Sequence, residues 1–215
     1  MNSIELQYVL PQVFADRSFV DSGIWHCQVV FEKGKKYLVE AASGTGKSSL
    51  CSFVYGYRKD YQGIISFDGQ NIRSFSTAQW THLRIRSLSL LFQELRLFPE
   101  LTAWENVQLK NRLTGGFQSK KTLDGWFRQL GIDDKKDQCI GKMSFGQQQR
   151  VAFVRALCQP FDFLFLDEPI SHLDGANAAV MADILTAEAD RQGAGVVVTS
   201  IGNHLPLAYD ETLHT

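Results

Sequence analysis

A chain of 215 residues with 44% hydrophobic side chains can bury a sizeable core as one domain, without disulfide or metal staples. Its 22 basic and 23 acidic residues, a formal charge of -1, argue against a broad basic face, so no nucleic-acid partner is expected. Fifteen Phe, six Tyr and four Trp exclude a disordered chain, and no run approaches the ~20 apolar residues of a membrane span.

The N-terminus alternates apolar and polar residues over 4–9, the pattern of a half-buried strand, and lacks the layout of a signal peptide. A second extended run over 24–31 ends at the turn Glu32-Lys33-Gly34. A short apolar run over 37–41 reads as a buried strand, leads into a glycine-rich loop, and is followed by a helix over about 47–55 that Gly56 stops. Residues 64–67 before Asp68-Gly69 read as a strand with a tight turn. From about 94 to 160 no strand signal appears. Helical spacing in 104–107, 123–130 and 147–157 instead predicts a helical lobe inserted between strands. Residues 161–166 are almost continuously apolar, as in a strand buried on both faces of a parallel sheet. A helix over 175–191 and a buried strand over 195–199 complete the pattern. Cysteines 27, 51, 139 and 158 show no metal-ligand spacing and read as reduced, cytosolic thiols. The expectation is a single α/β domain over 1–215: a mostly parallel sheet, an N-terminal antiparallel β portion and an inserted helical lobe over 94–160.

The loop carries the chemistry. Ala41-Ala42-Ser43-Gly44-Thr45-Gly46-Lys47-Ser48 fits G-x-x-x-x-G-K-[ST] except that Ala41 replaces the first glycine. Glycines let consecutive backbone N–H groups converge on a phosphate, and the following helix, with Ser49 in its first turn, aims its positive end at the same anion. Lys47 would reach the β- and γ-phosphates of a nucleotide, and the Ser48 hydroxyl would ligate magnesium. Ala41 adds only a Cβ at a tight turn. Kinases, GTPases and motor ATPases share such a cradle, so it says nucleotide binding and no more.

Four later segments narrow the choice. Leu91-Phe92-Gln93 is followed by a stretch from Leu97 through Pro99 and Trp104 to Val107. Met143-Ser144-Phe145-Gly146-Gln147-Gln148-Gln149-Arg150 comes next, then Phe163 to Asp167-Glu168-Pro169, then Ser171-His172-Leu173-Asp174. In this order, with the phosphate loop, they resemble the Q-loop, signature, Walker B and D-loop motifs of ATP-binding-cassette (ABC) ATPases, over about residues 4–210. The resemblance implies ATP and magnesium as ligands, with Ser48, Gln93 and Asp167 on the metal side and Gln93 sensing the γ-phosphate. Glu168 would polarise the attacking water. As a bland alternative, the acidic pair would merely cap a strand. Ser144-x-x-Gln147 has the form of a capping box. In the family that helix end, with Ser144, Gly146 and Gln147, closes on the ATP of an opposite protomer, which implies an ATP-dependent homodimer or heterodimer. Phe14 is the nearest candidate for stacking on adenine, with Phe19 as competitor, and either could be core.

Two departures bear on turnover. The family ends its last core strand in Thr-His, whereas this chain has Thr199-Ser200. Ser200 can donate a hydrogen bond but is shorter than histidine, and His204 lies in a loop broken by Pro206. Phe145 occupies the first glycine position of the signature, where its ring would point at a dimer interface or a membrane partner. The leading expectation is an ATPase at the inner face of the cell membrane, driving a separate integral membrane transporter subunit. That partner would bind a groove near Phe98, Leu101 and Trp104. The alternative is a nucleotide-gated module with slow hydrolysis; a DNA-repair relative is disfavoured by the missing coiled-coil or zinc insertions. The stretch from Phe92 to Thr102 looks most like ATPases of the lipoprotein-releasing, macrolide-exporting and cell-division type. The chain stops soon after its last predicted strand, so no regulatory domain is expected.

Overall fold

Two sheets and two apolar layers organise the computed structural model, which describes residues 1–15, 22–40, 42, 44–171 and 173–214. The strands are β1 (Ser3–Pro11), β2 (Gln28–Glu32), β3 (Lys36–Glu40), β4 (Tyr61–Phe67), β5 (Gln70–Asn71), β6 (Leu88–Leu91), β7 (Phe163–Asp167), β8 (Gly195–Ser200) and β9 (Glu211–His214). The helices are α1 (Lys47–Val54), α2 (Thr77–Arg86), α3 (Ala103–Leu113), α4 (Lys120–Gln129), α5 (Phe145–Ala156) and α6 (Gly175–Gln192). One sheet is antiparallel, in the order β2-β1-β4-β5; the other is parallel, in the order β6-β7-β8-β3-β9. Helices α3, α4 and α5 lie between β6 and β7 in the chain, with an isolated bridge, Thr102 to Cys139, as their β-type contact.

Strand β7 shows why the two layers separate. Phe163 and Phe165 face the antiparallel sheet and pack with Phe31, Phe53 and Val197, while Leu164 and Leu166 face the helices with Val151, Val154 and Leu185. A strand with both faces buried must be apolar throughout, and only its last residue, Asp167, is charged. Helix α4 buries Leu123, Trp126, Phe127 and Leu130 at i, i+3, i+4 and i+7, a single stripe against the same layer. Three helices, α2, α3 and α5, start with a reciprocal capping box, Ser76 with Gln79, Thr102 with Glu105 and Ser144 with Gln147.

The structure departs from the sequence expectation in places. The extended run over 24–31 becomes a strand only at Gln28, because the Ser22 hydroxyl accepts the amides of Ile24 (3.1 Å) and Trp25 (2.9 Å) and folds that stretch into a turn. Ile24 and Trp25 are buried as core instead. Helix α2 and strands β6 and β9 were not expected from the sequence.

Helix α1 ends in a Schellman arrangement: the Gly56 amide donates to the Phe53 carbonyl at 3.0 Å and the Tyr57 amide to Ser52 at 2.9 Å. Gly56 has φ +72, and a Cβ there would stand 2.5 Å from the Trp80 ring. Gly56→Ala is therefore expected to cost about 1–3 kcal/mol from backbone strain alone, read as a lower urea midpoint. An unchanged midpoint would show that the turn and the ring can both yield.

Candidate active site

The phosphate loop runs from the end of β3 to the start of α1, and both ends are pinned. The Trp25 indole donates to the Thr45 carbonyl at 2.8 Å, and the Thr45 hydroxyl donates to the Ala42 carbonyl at 2.8 Å. Gly46 is the N-cap of α1 with φ +100, and a Cβ there would press on the Phe14 and Trp25 rings at 3.0–3.3 Å. No side-chain oxygen caps this helix, so its first amides face the loop as an anion-binding end. Ala41 and Ser43 lie outside the described residues.

Lys47 is only 5% exposed. Its ammonium donates to the Ala42 carbonyl at 2.9 Å and stands 3.9 Å from a Glu168 carboxylate oxygen. Burial pushes the Lys47 pKa down, and the charges of Glu168 and Asp167 pull it partly back. The Ser48 hydroxyl donates to the Gln93 amide oxygen at 3.2 Å, and the Gln93 amide nitrogen donates to Glu168 at 3.4 Å. Four side chains from three segments thus form one polar chain: Ser48, Gln93, Glu168, Lys47.

Strands β7 and β8 set its far end. Their register pairs Asp167 with Thr199, whose hydroxyl donates to the Asp167 carboxylate at 2.7 Å, and the Glu168 amide donates to the Thr199 carbonyl at 3.1 Å. Glu168 itself has φ +50, a conformation that non-glycine residues hold only where their surroundings enforce it. Part of that enforcement comes from α5, where the buried Gln149 amide donates to the Glu168 carbonyl at 3.2 Å.

Of the residues singled out from the sequence, a cleft of about 390 Å³ gathers Phe14, Gly44, Gly46, Lys47, Ser48, Ser49, Gln93 and Glu168. Ala42 and Thr45 shape the loop behind it, and Ser49 accepts from Arg58 at 2.9 Å. Asp167 is buried one residue behind Glu168. Phe14 is 4% exposed, whereas its neighbour Val13 is 68% exposed and also lines the cleft. Phe19 lies outside the described residues.

Some expected residues stand elsewhere. Ser144, Gly146 and Gln147 begin α5 and do not line this cleft; the Ser144 hydroxyl accepts the Gln147 amide at 3.3 Å. Phe145 beside them is 43% exposed. Ser200 is buried and donates its hydroxyl to the Asn203 carbonyl, so Ile201, not Ser200, borders the cleft after β8. His204 pairs with Glu40 at 3.6 Å and packs on Tyr209, also outside the cleft. Asp174 caps α6, and accepting the Asn177 amide at 2.8 Å holds its carboxyl below the usual range. His172 lies outside the described residues.

Gln149 was not foreseen as a positioning residue. Its signal was present: it sits on the apolar stripe of α5 with Ala152, Phe153 and Ala156, where a polar side chain needs a reason. Its carbonyl oxygen is buried without a partner. Gln149→Leu would remove that orphan while leaving the Glu168 carbonyl unpaired, so folding stability should change little. The expected result is a turnover about tenfold lower, measured as phosphate release. Unchanged turnover would show that Glu168 holds its place without Gln149.

Comparison with known proteins agrees with this geometry. Residues 26–171 match a family model described as ABC transporter. The lipoprotein-releasing system ATP-binding protein LolD of Syntrophotalea carbinolica is 29% identical over 191 residues, spanning 88% of this chain and 84% of that protein. The uncharacterized ABC transporter ATP-binding protein YbbA of Escherichia coli is 30% identical over 188 residues, spanning 86% of this chain and 82% of that protein. In fold, the chain resembles the dimeric structure of MJ0796, a bacterial ABC transporter cassette, with a TM-score of 0.77 at 23% identity over 92% of this chain and 87% of that one. The family model covers more than half of the chain and the cleft keeps that family's loop, glutamine and glutamate together, so the chain belongs to the ABC transporter family, as an ATP-binding ATPase cassette.

Proposed function

We propose that this chain hydrolyses ATP to power a separate integral membrane transporter, two cassettes closing head to tail around two ATP molecules. The observation that carries the reading is the polar chain Ser48–Gln93–Glu168–Lys47 within one cleft. Among the described residues no helix is long and apolar enough to cross a membrane, which suits a subunit bound at the inner membrane face to a partner that spans it.

The α1 amides and Lys47 would hold the β- and γ-phosphates. The Ser48 hydroxyl and Gln93 amide oxygen, meeting at 3.2 Å, with the Asp167 carboxylate behind them, are hard oxygen donors of the kind magnesium takes. Bound there, magnesium would neutralise charge between the β- and γ-phosphates. Glu168 would accept the proton of the attacking water, its main chain held by the Thr199 carbonyl and the Gln149 amide. At 4% exposure Phe14 has little ring face to offer adenine, against the sequence expectation, so the exposed Val13 would take the base at that edge of the cleft. Ser144, Gly146 and Gln147, which do not line their own cleft, would meet the ATP of the second cassette, and the exposed Phe145 would lie at that seam.

One observation favours a slow version of this reaction, in which ATP chiefly gates closure. The Ser200 hydroxyl is spent on the Asn203 carbonyl, and an apolar residue, Ile201, takes the adjoining edge of the cleft. A missing donor of this class costs on the order of 10² in rate. Ser200→His is therefore expected to raise phosphate release by about 10-fold or more. Wild-type release well above a Lys47→Ala control would defeat the slow-gate version. No release, even with the membrane partner reconstituted, would defeat the ATPase reading.

A further inference from the structure

Arg58 follows Ser49 by nine residues, yet its guanidinium returns to the first turn of α1. Its main chain is anchored near the far end of that helix, where its amide donates to the Ser52 carbonyl at 3.3 Å. The stem folds back across the Phe53 ring, with the guanidinium carbon 5.2 Å from the ring centre. Asp60 holds one edge of the guanidinium with both carboxylate oxygens, accepting Nε at 2.9 Å and Nη2 as well. Nη1 remains, and it donates to the Ser49 hydroxyl at 2.9 Å. A planar fork fixed in this way presents that donor in one direction.

A hydroxyl has one hydrogen to give and two lone pairs to receive with. Arg58 fills a lone pair of Ser49, so the Ser49 hydrogen cannot serve the same contact. Among the described residues that hydrogen has no acceptor, although Ser49 lines the ATP cleft. A helical serine would otherwise bond back to the carbonyl four residues earlier, here Thr45, which receives the Trp25 indole instead. The donor is left for an acceptor that the described residues do not supply.

The same assembly shows which end of the cleft it serves. The Asp60 carbonyl accepts the Gln12 amide at 2.9 Å, and Gln12 adjoins Val13 and Phe14 on the cleft edge assigned to the base. Ser48 instead meets Gln93 and through it Glu168, at the reacting end. We infer that Arg58 is a positioning residue: by occupying a lone pair of Ser49 it aims the Ser49 hydrogen at the phosphate nearest the base. Arg58 thereby sets nucleotide affinity without entering the hydrolytic step. Only the nucleotide cleft is needed for this role, not the membrane partner, and Arg58 lies outside every motif singled out from the sequence.

The probe is magnesium ADP, which keeps the phosphate nearest the base and is not hydrolysed. Its binding to the full chain is followed by titration calorimetry, beside the KM and kcat of phosphate release from ATP. Ser49→Ala should weaken ADP binding about tenfold and Arg58→Met about fivefold. For Arg58→Met, the KM for ATP should rise by the same factor, with kcat falling by less than about twofold. In the Ser49→Ala background, Arg58→Met should change ADP affinity by less than about twofold, because the hydroxyl through which it acts is gone. Full additivity in that cycle would overturn the assignment, since a bare charge effect or a folding defect would persist without Ser49. Unchanged ADP affinity in Arg58→Met, or a loss confined to kcat, would overturn it too. Phosphate release by the same wild-type preparation separates the two readings. Release with an additive cycle defeats the Arg58 assignment alone, and ADP binding without release defeats the ATPase reading while the cycle still decides Arg58.

Discussion

Lys47→Ala should reduce ATP turnover by about 10²–10³-fold and weaken nucleotide binding in parallel. Lys47 is almost wholly buried; its ammonium donates to the Ala42 carbonyl and stands 3.9 Å from Glu168. A triphosphate offers a stronger countercharge than a carbonyl or one carboxylate, so nucleotide binding offsets part of the desolvation cost of keeping an ammonium here. Alanine removes both the cost and the offset. The variant should therefore fold as well as the wild type while failing to hold ATP, which separates its defect from misfolding. The pH response has a definite sign. Because burial lowers the Lys47 pKa from its ordinary 10.5, the cation is lost at a lower pH than for a free lysine. ATP affinity should accordingly begin to fall on the alkaline side below 10.5. Phosphate release and binding of a fluorescent ATP analogue test this together, and turnover within a few-fold of wild type would remove Lys47 from the phosphate site.

Glu168→Gln should slow hydrolysis by about 10²–10⁴-fold while trapping the chain as an ATP-bound dimer. Glutamine is nearly isosteric, so the φ of +50 and the main-chain bond from the 168 amide to Thr199 can persist. The proton acceptor is lost. So is the negative charge beside Lys47, which leaves that lysine's field undivided for the triphosphate. Tighter binding and slower chemistry act in the same direction, toward an accumulated closed pair. Size-exclusion chromatography in magnesium and ATP reads the outcome directly. Elution only as monomer, with turnover abolished, would confine Glu168 to chemistry and remove dimer closure from the proposal.

The elements that the sequence made legible are those where burial is one-sided or complete. Residues 163–166 are apolar without a break because β7 is covered on both faces, and α4 shows its stripe because one face only is buried. Strand β9 gave no such signal: Glu211, Thr212 and His214 are exposed, and the strand is held by pairing with β3 at the sheet edge. Strand β6 is four residues long, too short for its period to be told from that of a helix. Helix α2 buries only Trp80, so its apolar stripe is nearly empty, although Ser76 and Gln79 announce its start. The same logic divides the candidate site. The phosphate loop, Gln93 and the acidic pair are contiguous or near-contiguous motifs. Gln149 depends on a contact between distant elements, and the orientation of Ser200 depends on where Asn203 folds back.

Helix α5 has a further bearing through two of its residues, Ser144 at its cap and Gln149 about one turn on. Its capped first turn does not line its own cleft, and about one turn further along Gln149 donates to the main-chain carbonyl of Glu168. A 12-residue helix is a stiff rod of roughly 18 Å, so its tip cannot be displaced without tugging that bond. If two such cassettes close as proposed, pressure on that tip would be passed through Gln149 to the main chain of Glu168 in the same subunit.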